Sequence, residues 1–227
     1  MIQRQNKYTV RWILVIVTAI AFTLLTWMVC RGMTDTADDK ISLAVASART
    51  PGLTTLFTAV TYLGSWEAIV IVCLLSLVYW KTVESHALAI SITAIITTLF
   101  RIMLKGIIAR PRPTIVSHLV DEGGFSYPSG HAIASMSVYM LVFILLYKIM
   151  EQGARKNALL TLCAALPFLI GFSRVYLGVH YASDVLGGWL AGVAFGLAIL
   201  TAAQLTEQYV KNRKEENENH TKHSRHY

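Results

Sequence analysis

Charge is scarce in this sequence. Only 15% of its 227 residues are Asp, Glu, Lys or Arg, against 55% hydrophobic, where soluble globular domains carry about a quarter charged residues. The charges cluster, with long apolar stretches between them. This excludes an ordinary soluble core and implies a chain that crosses a bilayer several times. Cysteine is rare too. Cys30, Cys73 and Cys163 have neither metal-ligand nor redox spacing, so they read as small apolar fillers. The apolar stretches lack period-two alternation, which excludes the strands of an outer-membrane barrel. Their centres lack charge, which argues against a transporter or channel with a basic mouth. The net charge of +7 lies mainly in the connections and the tail. It belongs to membrane topology rather than to nucleic-acid binding.

Six apolar stretches remain: Trp12 to Val29, Glu67 to Trp80, Ala87 to Leu104, Ala132 to Tyr147, Ala158 to Phe172, and Val185 to about Leu205. A helix needs about 20 residues to cross the hydrocarbon core, and it satisfies its own backbone hydrogen bonds there. The expected fold is therefore all-α, with six transmembrane helices in one domain, residues 1–210. The second stretch is short unless it starts near Thr54 and runs through Gly64-Ser65. The first follows Arg4, Lys7 and Arg11. It is too long for a signal peptide and has no small-x-small site after it, so it reads as a retained span. A short outer loop from Arg31 to Pro51 follows. Residues 211–227 are charged and nearly free of apolar groups, and are expected to be a disordered basic cytoplasmic tail. Its histidines, His220, His223 and His226, read as solvated. Gly188, Gly192 and Gly196, four residues apart, give the sixth helix a face for close packing.

Basic residues set the orientation. With both termini cytoplasmic, Lys81, Lys148, Arg155, Lys156 and the tail stay inside. The ends of helices three and five and the start of helix four then face outward.

Three polar clusters interrupt the apolar pattern. Lys105 to Pro113, containing Arg110-Pro-Arg112-Pro, ends the third helix. Tyr127-Pro-Ser129-Gly130-His131 opens the fourth. Ser173-Arg174, His180 and Asp184 join the fifth to the sixth. Antiparallel spans bring all three to one membrane face. Lys105, Arg112 and Arg174 suit phosphate oxygens, arginine through its planar fork and lysine as a compact charge. Ser129 is a good N-cap, and Gly130 lets an anion approach the free N–H groups of a helix start. His180 and Asp184 are four apart. If the sixth helix starts early enough they share a face, and Asp184 fixes the tautomer of a nucleophilic His180. His131 can protonate a leaving alkoxide and later accept a proton from water. Arginine and lysine supply the positive charge, so no cofactor or metal is implied.

The pattern resembles the type 2 phosphatidic acid phosphatase family, whose signature is Lys-x6-Arg-Pro, Pro-Ser-Gly-His and Ser-Arg-x5-His-x3-Asp. All three parts stand here: Lys105 with Arg112-Pro113, Pro128 to His131, and Ser173-Arg174 with His180 and Asp184. The resemblance implies an integral membrane phosphatase of lipid phosphates that works at the outer face without metal. In it His180 is the nucleophile, Asp184 its partner and His131 the general acid. Lys105, Arg112, Ser129, Gly130 and Arg174 bind phosphate. Tyr127 stands where many members have Phe. Arg-Pro occurs twice, and only Arg112 has the family spacing from Lys105. Vanadate-dependent haloperoxidases resemble the family at the same motifs but are soluble, which the apolar spans disfavour. The implied substrates are phosphatidylglycerophosphate, undecaprenyl pyrophosphate or phosphatidic acid, and the motifs alone do not choose among these tails. Glu67 and Arg101 lie outside the signature and are expected to pair near the outer ends of helices two and three.

The orientation has a direct check. In a variant without native cysteines, Thr114→Cys should react with a membrane-impermeant thiol reagent added to intact cells. Labelling only after the cells are opened would invert the topology.

Overall fold

The computed structural model describes residues 2–78 and 80–224, and among them no strand occurs. Eight helices follow in order: α1 (Ile2–Cys30), α2 (Asp35–Ser47), α3 (Pro51–Tyr62), α4 (Trp66–Val78), α5 (Trp80–Ile108), α6 (Gly130–Ile149), α7 (Ala154–Tyr176) and α8 (Ala182–Ser224). Helices α1, α5, α6, α7 and α8 are each long and apolar enough to span a bilayer. Helices α3 and α4 meet that test together, bent by 46° at their break, and make a sixth candidate span. The all-helical membrane architecture expected from the sequence is thus present. The second span does begin before Thr54, as its length required.

Local chemistry sets several of these boundaries. Thr50 caps α3, its Oγ1 accepting the Leu53 N–H at 3.3 Å, and Pro51 occupies the first turn, where its missing N–H costs nothing. Many large apolar side chains of α1 are exposed, among them Val10, Ile13, Val17, Ile20 and Leu24. In water such a face would be a liability, but against acyl chains it is the expected surface.

Two expectations change. Residues between Arg31 and Pro51 are mostly helical, because α2 lies among them. Its buried Asp38 has a structural task described below. The last helix also continues through Ser224, so the backbone of residues 211–224 is helical where composition predicted none. Extending a formed helix needs no new nucleus, and Lys211 and Glu215 face each other one turn apart at 4.0 Å. The side chains of His220 and His223, and all of His226, lie outside the described residues.

The core joins α4, α5, α6 and α8 through Ile69, Ile90, Val138, Leu141, Leu145 and Leu200. Helix α6 sits centrally, and α8 packs on it through the glycine face. A Cβ on Gly188 would stand 2.9 Å from the Ser129 carbonyl oxygen, and one on Gly192 2.9 Å from that of Ile133. This close approach fixes the start of α6 against the start of α8. Gly192→Val should therefore separate the two helices. We expect a loss of about 1–3 kcal/mol from overpacking, read as a lower melting temperature in detergent. An unchanged melting temperature would show that the two helices do not need the contact.

Candidate active site

The site is built at one end of the bundle, where α5 stops and a long connection crosses to α6. Ala109 takes a positive φ of 49°, and its N–H donates to the Lys105 carbonyl at 2.9 Å, closing the last turn of α5. Pro111 and Pro113 keep the chain from continuing as helix. The connection is tied down by Leu119 N–H to Leu177 O at 2.9 Å and Ser126 N–H to Arg110 O at 2.8 Å. Gly178 makes the first tie sterically feasible. It has φ +79°, and a Cβ there would lie 2.6 Å from the Ser117 carbonyl.

Helix α8 begins at Ala182, so His180 precedes it and does not share its face as expected. The i,i+4 contact survives for another reason. Asp184 lies in the first turn of α8 and reaches back over its start. Its Oδ2 accepts the Tyr181 N–H at 2.9 Å and faces His180 Nδ1 at 3.3 Å. This is the reciprocal half of a capping box, used here to aim a histidine. Asp184 Oδ1 accepts from Arg110 Nη1 at 2.7 Å.

Arg110 is the centre of a buried network. Its Nη2 donates to Asp38 at 2.8 Å and Asp35 at 3.2 Å, and its Nη1 to Ser183 Oγ at 2.7 Å. Asp38 in turn accepts the Ser183 N–H at 2.9 Å. Burial opposes the charge of Arg110, yet the Asp184 and Asp38 carboxylates outweigh it and raise its pKa. Arg110 therefore holds Asp184 through the oxygen that His180 does not face.

Arg112 points the other way. Its Nη1 donates to the Val179 carbonyl at 2.7 Å and lies 3.3 Å from His180 Nε2. Arginine can only donate, so Nε2 carries the lone pair and Nδ1 carries the proton that faces Asp184. His180 is only 1% exposed. Burial first, and then Arg174, Arg112 and Lys105, push its pKa well below the ordinary histidine value. The ring is neutral at physiological pH, with its free nitrogen on the cationic side.

Glu122 lies among these cations. It pairs with Arg174 Nη2 and reaches Arg112 Nη2 at 3.5 Å. Arg174, 2% exposed, also donates to Thr61 Oγ1 at 2.9 Å, while its Nε has no partner among the described residues. Burial alone would raise the Glu122 carboxyl, but the surrounding groups, Arg174 foremost, overcome that and hold it below the ordinary carboxylate range.

A cavity of about 200 Å³ opens beside this group, lined by Lys105, Glu122, Gly130, His131, Arg101 and Trp66 among others. Lys105 Nζ donates to the Phe125 carbonyl at 2.7 Å. Ser129 takes the N-cap position of α6, yet its hydroxyl does not cap the helix. The residue is fully buried and its hydroxyl has no partner among the described residues, while its N–H donates to the Asp184 carbonyl at 3.1 Å. Gly64 leaves room for His131, whose Cδ2 would be 3.3 Å from a Cβ there. Tyr127 is buried and its hydroxyl meets Thr26 of α1 at 2.8 Å.

All eight residues singled out by the sequence thus form one contiguous group. Arg112, His180 and Asp184 touch in series. Arg174 meets Arg112 through Glu122. Lys105, Gly130 and His131 line the adjoining cavity, and Ser129 joins the group through its N–H to the Asp184 carbonyl. The expected pair between Glu67 and Arg101 is absent: Glu67 is exposed and Arg101 lies over Gly130. Sequence reasoning missed Glu122, Thr61, Asp38 and the task of Arg110. For Glu122 there was a signal, since Asp121 and Glu122 are the carboxylates of an otherwise basic connection.

Comparison with known proteins finds relatives of this chain. A match to the PAP2 superfamily covers residues 85–207. The chain is 33% identical over 177 residues to phosphatidylglycerophosphatase B of Bacillus subtilis (strain 168), spanning 76% of this chain and 86% of that protein. It is 30% identical over 155 residues to dolichyldiphosphatase 1 of Homo sapiens, spanning 64% and 65% respectively. The crystal structure of a transmembrane PAP2-type phosphatidylglycerolphosphate phosphatase from Bacillus subtilis superposes with a TM-score of 0.72 at 30% identity. It covers 82% of this chain and 93% of that one.

The position of Glu122 carries a prediction. Its carboxylate engages N–H donors of Arg112 and Arg174 that would suit a phosphate oxygen, so the two compete. Glu122→Gln should tighten inhibition by inorganic phosphate roughly tenfold, the scale of one hydrogen bond to a charged group. The inhibition constant is the readout, and an unchanged or weaker one would mean that the carboxylate only positions the cations. Because the Glu122 pKa is depressed, its stabilising pairing is complete above the ordinary carboxylate value. It is lost only as pH falls through the depressed value.

Proposed function

The chain belongs to the PAP2 superfamily of membrane lipid phosphatases, and on that footing we propose that it removes phosphate from a lipid head group through a phosphohistidine on His180. The observation that carries this is the directed contact series from Arg112 through His180 to Asp184 and Arg110. It leaves His180 Nε2 without a proton, while the Ser129 hydroxyl and Arg174 Nε have no partner among the described residues and could donate to a phosphate oxygen.

The reaction runs in two steps. In the first, the Nε2 lone pair attacks phosphorus, the P–N bond forms, and the P–O bond to the lipid breaks. His131 gives a proton to the departing oxygen, and Asp184 stabilises the charge that develops on the His180 ring. Lys105, Arg112, Arg174, Ser129 and the N–H groups at the start of α6 from Gly130 onward bind the equatorial oxygens in both transition states. In the second, His131 takes a proton from water, the water oxygen attacks phosphorus, and the P–N bond breaks. The lone pair returns to Nε2 and inorganic phosphate leaves. The lipid tail stays in the bilayer and its head reaches the cavity at the membrane boundary. The excess of Lys and Arg at the other ends of the spans supports an outward-facing site with cytoplasmic termini.

Phosphate release by purified protein from phosphatidylglycerophosphate, undecaprenyl pyrophosphate and phosphatidic acid tests this reading. His180→Ala should lower kcat by about a thousandfold or more, and EDTA should leave the wild-type rate unchanged. Normal turnover by His180→Ala, or full dependence on a divalent metal, would refute it. The pH profile of kcat/KM should be bell-shaped. Its acid limb should lie below the ordinary histidine value, because His180 stays neutral there.

A further inference from the structure

Among the described residues, Arg101 makes no hydrogen bond and no ion pair. It stands on α5 one turn before Lys105 and lines the same cavity as Lys105, Glu122, Gly130 and His131. Its side chain lies flat against the first residue of α6. A Cβ at Gly130 would stand 2.5 Å from Arg101 Cδ, 2.9 Å from Nε and 3.2 Å from Nη1. Gly130 thus serves two approaches, that of an anion to the helix start and that of a guanidinium beside it. A half-buried cation near membrane depth is costly without a counter-charge. The other site cations have protein acceptors: Lys105 the Phe125 carbonyl, Arg112 three carbonyls, and Arg174 Thr61 and Glu122. Arg101 alone among these site cations has no such acceptor, and Glu67 does not supply one.

We propose that Arg101 binds a second phosphate group of the substrate, one link along the head group from the phosphate that His180 attacks. This rests on the lipid-phosphatase reading above and narrows its substrate class to lipids with two phosphates in series. The cavity, about 200 Å³ against roughly 30 Å³ for one water, has room for several water-sized groups. Trp66 lines it and is largely exposed, a ring suited to the membrane boundary where a lipid head would enter. Two chemistries share this pattern. In a polyprenyl diphosphate the second phosphate is joined directly to the first. In phosphatidylglycerophosphate it is a phosphodiester separated by glycerol. Phosphatidic acid has only the phosphate that is cleaved. Guanidinium offers paired N–H donors to either second group, whereas lysine offers a point charge.

The test compares kcat/KM of wild type, Arg101→Gln and Arg101→Lys in mixed micelles of each lipid. The ratio of each two-phosphate lipid to phosphatidic acid is the readout. In Arg101→Gln that ratio should fall about 10- to 100-fold for at least one two-phosphate lipid, mainly through KM, the scale of a charge-assisted contact. Arg101→Lys should recover part of it. The lipid whose ratio falls more identifies which source of second phosphate the site takes. A ratio that stays constant for both lipids, whether or not overall activity drops, would overturn the proposal, because a purely structural Arg101 affects all three alike. Wild type inactive on every lipid would instead remove the phosphatase reading itself, so the two failures are separable.

Discussion

Asp184 is wholly buried, and a buried carboxylate is tolerable only when its oxygens are filled. Here one oxygen takes Arg110, and the other takes the Tyr181 N–H and faces His180. That requirement organises the catalytic end. Arg110 is itself buried and must be neutralised, which brings in Asp38 and Asp35 of α2. Asp38 then fixes Ser183, and the start of α8 is locked to a helix far away in sequence. Removing any one partner would leave an uncompensated charge in a low-dielectric site. The orientation of His180 is thus enforced by a network on the far side of Asp184.

Two arginines one residue apart divide the labour. Arg110 faces the network behind Asp184, and Arg112 faces the lone pair of His180. Pro111 between them fixes the backbone so that the two side chains serve opposite sides of the same aspartate–histidine pair. A repeated Arg-Pro step is therefore two parts of one device, one holding Asp184 and one that, in the proposed reaction, binds phosphate beside His180. On the cationic side Glu122 holds the place of an anion. It balances charges that would otherwise repel, and in the proposed reaction a phosphate would meet the same donors.

Much of the site was legible because its parts are local patterns. A proline, a serine and a glycine before an apolar run mark a helix start. A histidine four residues before an aspartate marks a close pair. Long apolar stretches mark spans, and their antiparallel order puts three motifs at one end. The helix α2 was not legible, because short polar helices carry no strong apolar period, and its value lies in one aspartate reaching a distant arginine. The continuation of α8 beyond residue 210 was missed because composition counts burial and ignores the advantage of extending a helix already formed.

The amino-acid sequence by itself determined the all-helical membrane architecture, the three motifs and the residue types gathered at the site. Covalent order and side-chain chemistry suffice for those. The tertiary structure decided which arginine faces His180, which carboxylate occupies the cations, and that Arg101 lies over Gly130 with no partner among the described residues. Each depends on where segments far apart in the chain meet and on how buried charges must then be satisfied. Glycine contacts between α6 and α8 and the aspartate of α2 set those meetings, and no local pattern encodes them.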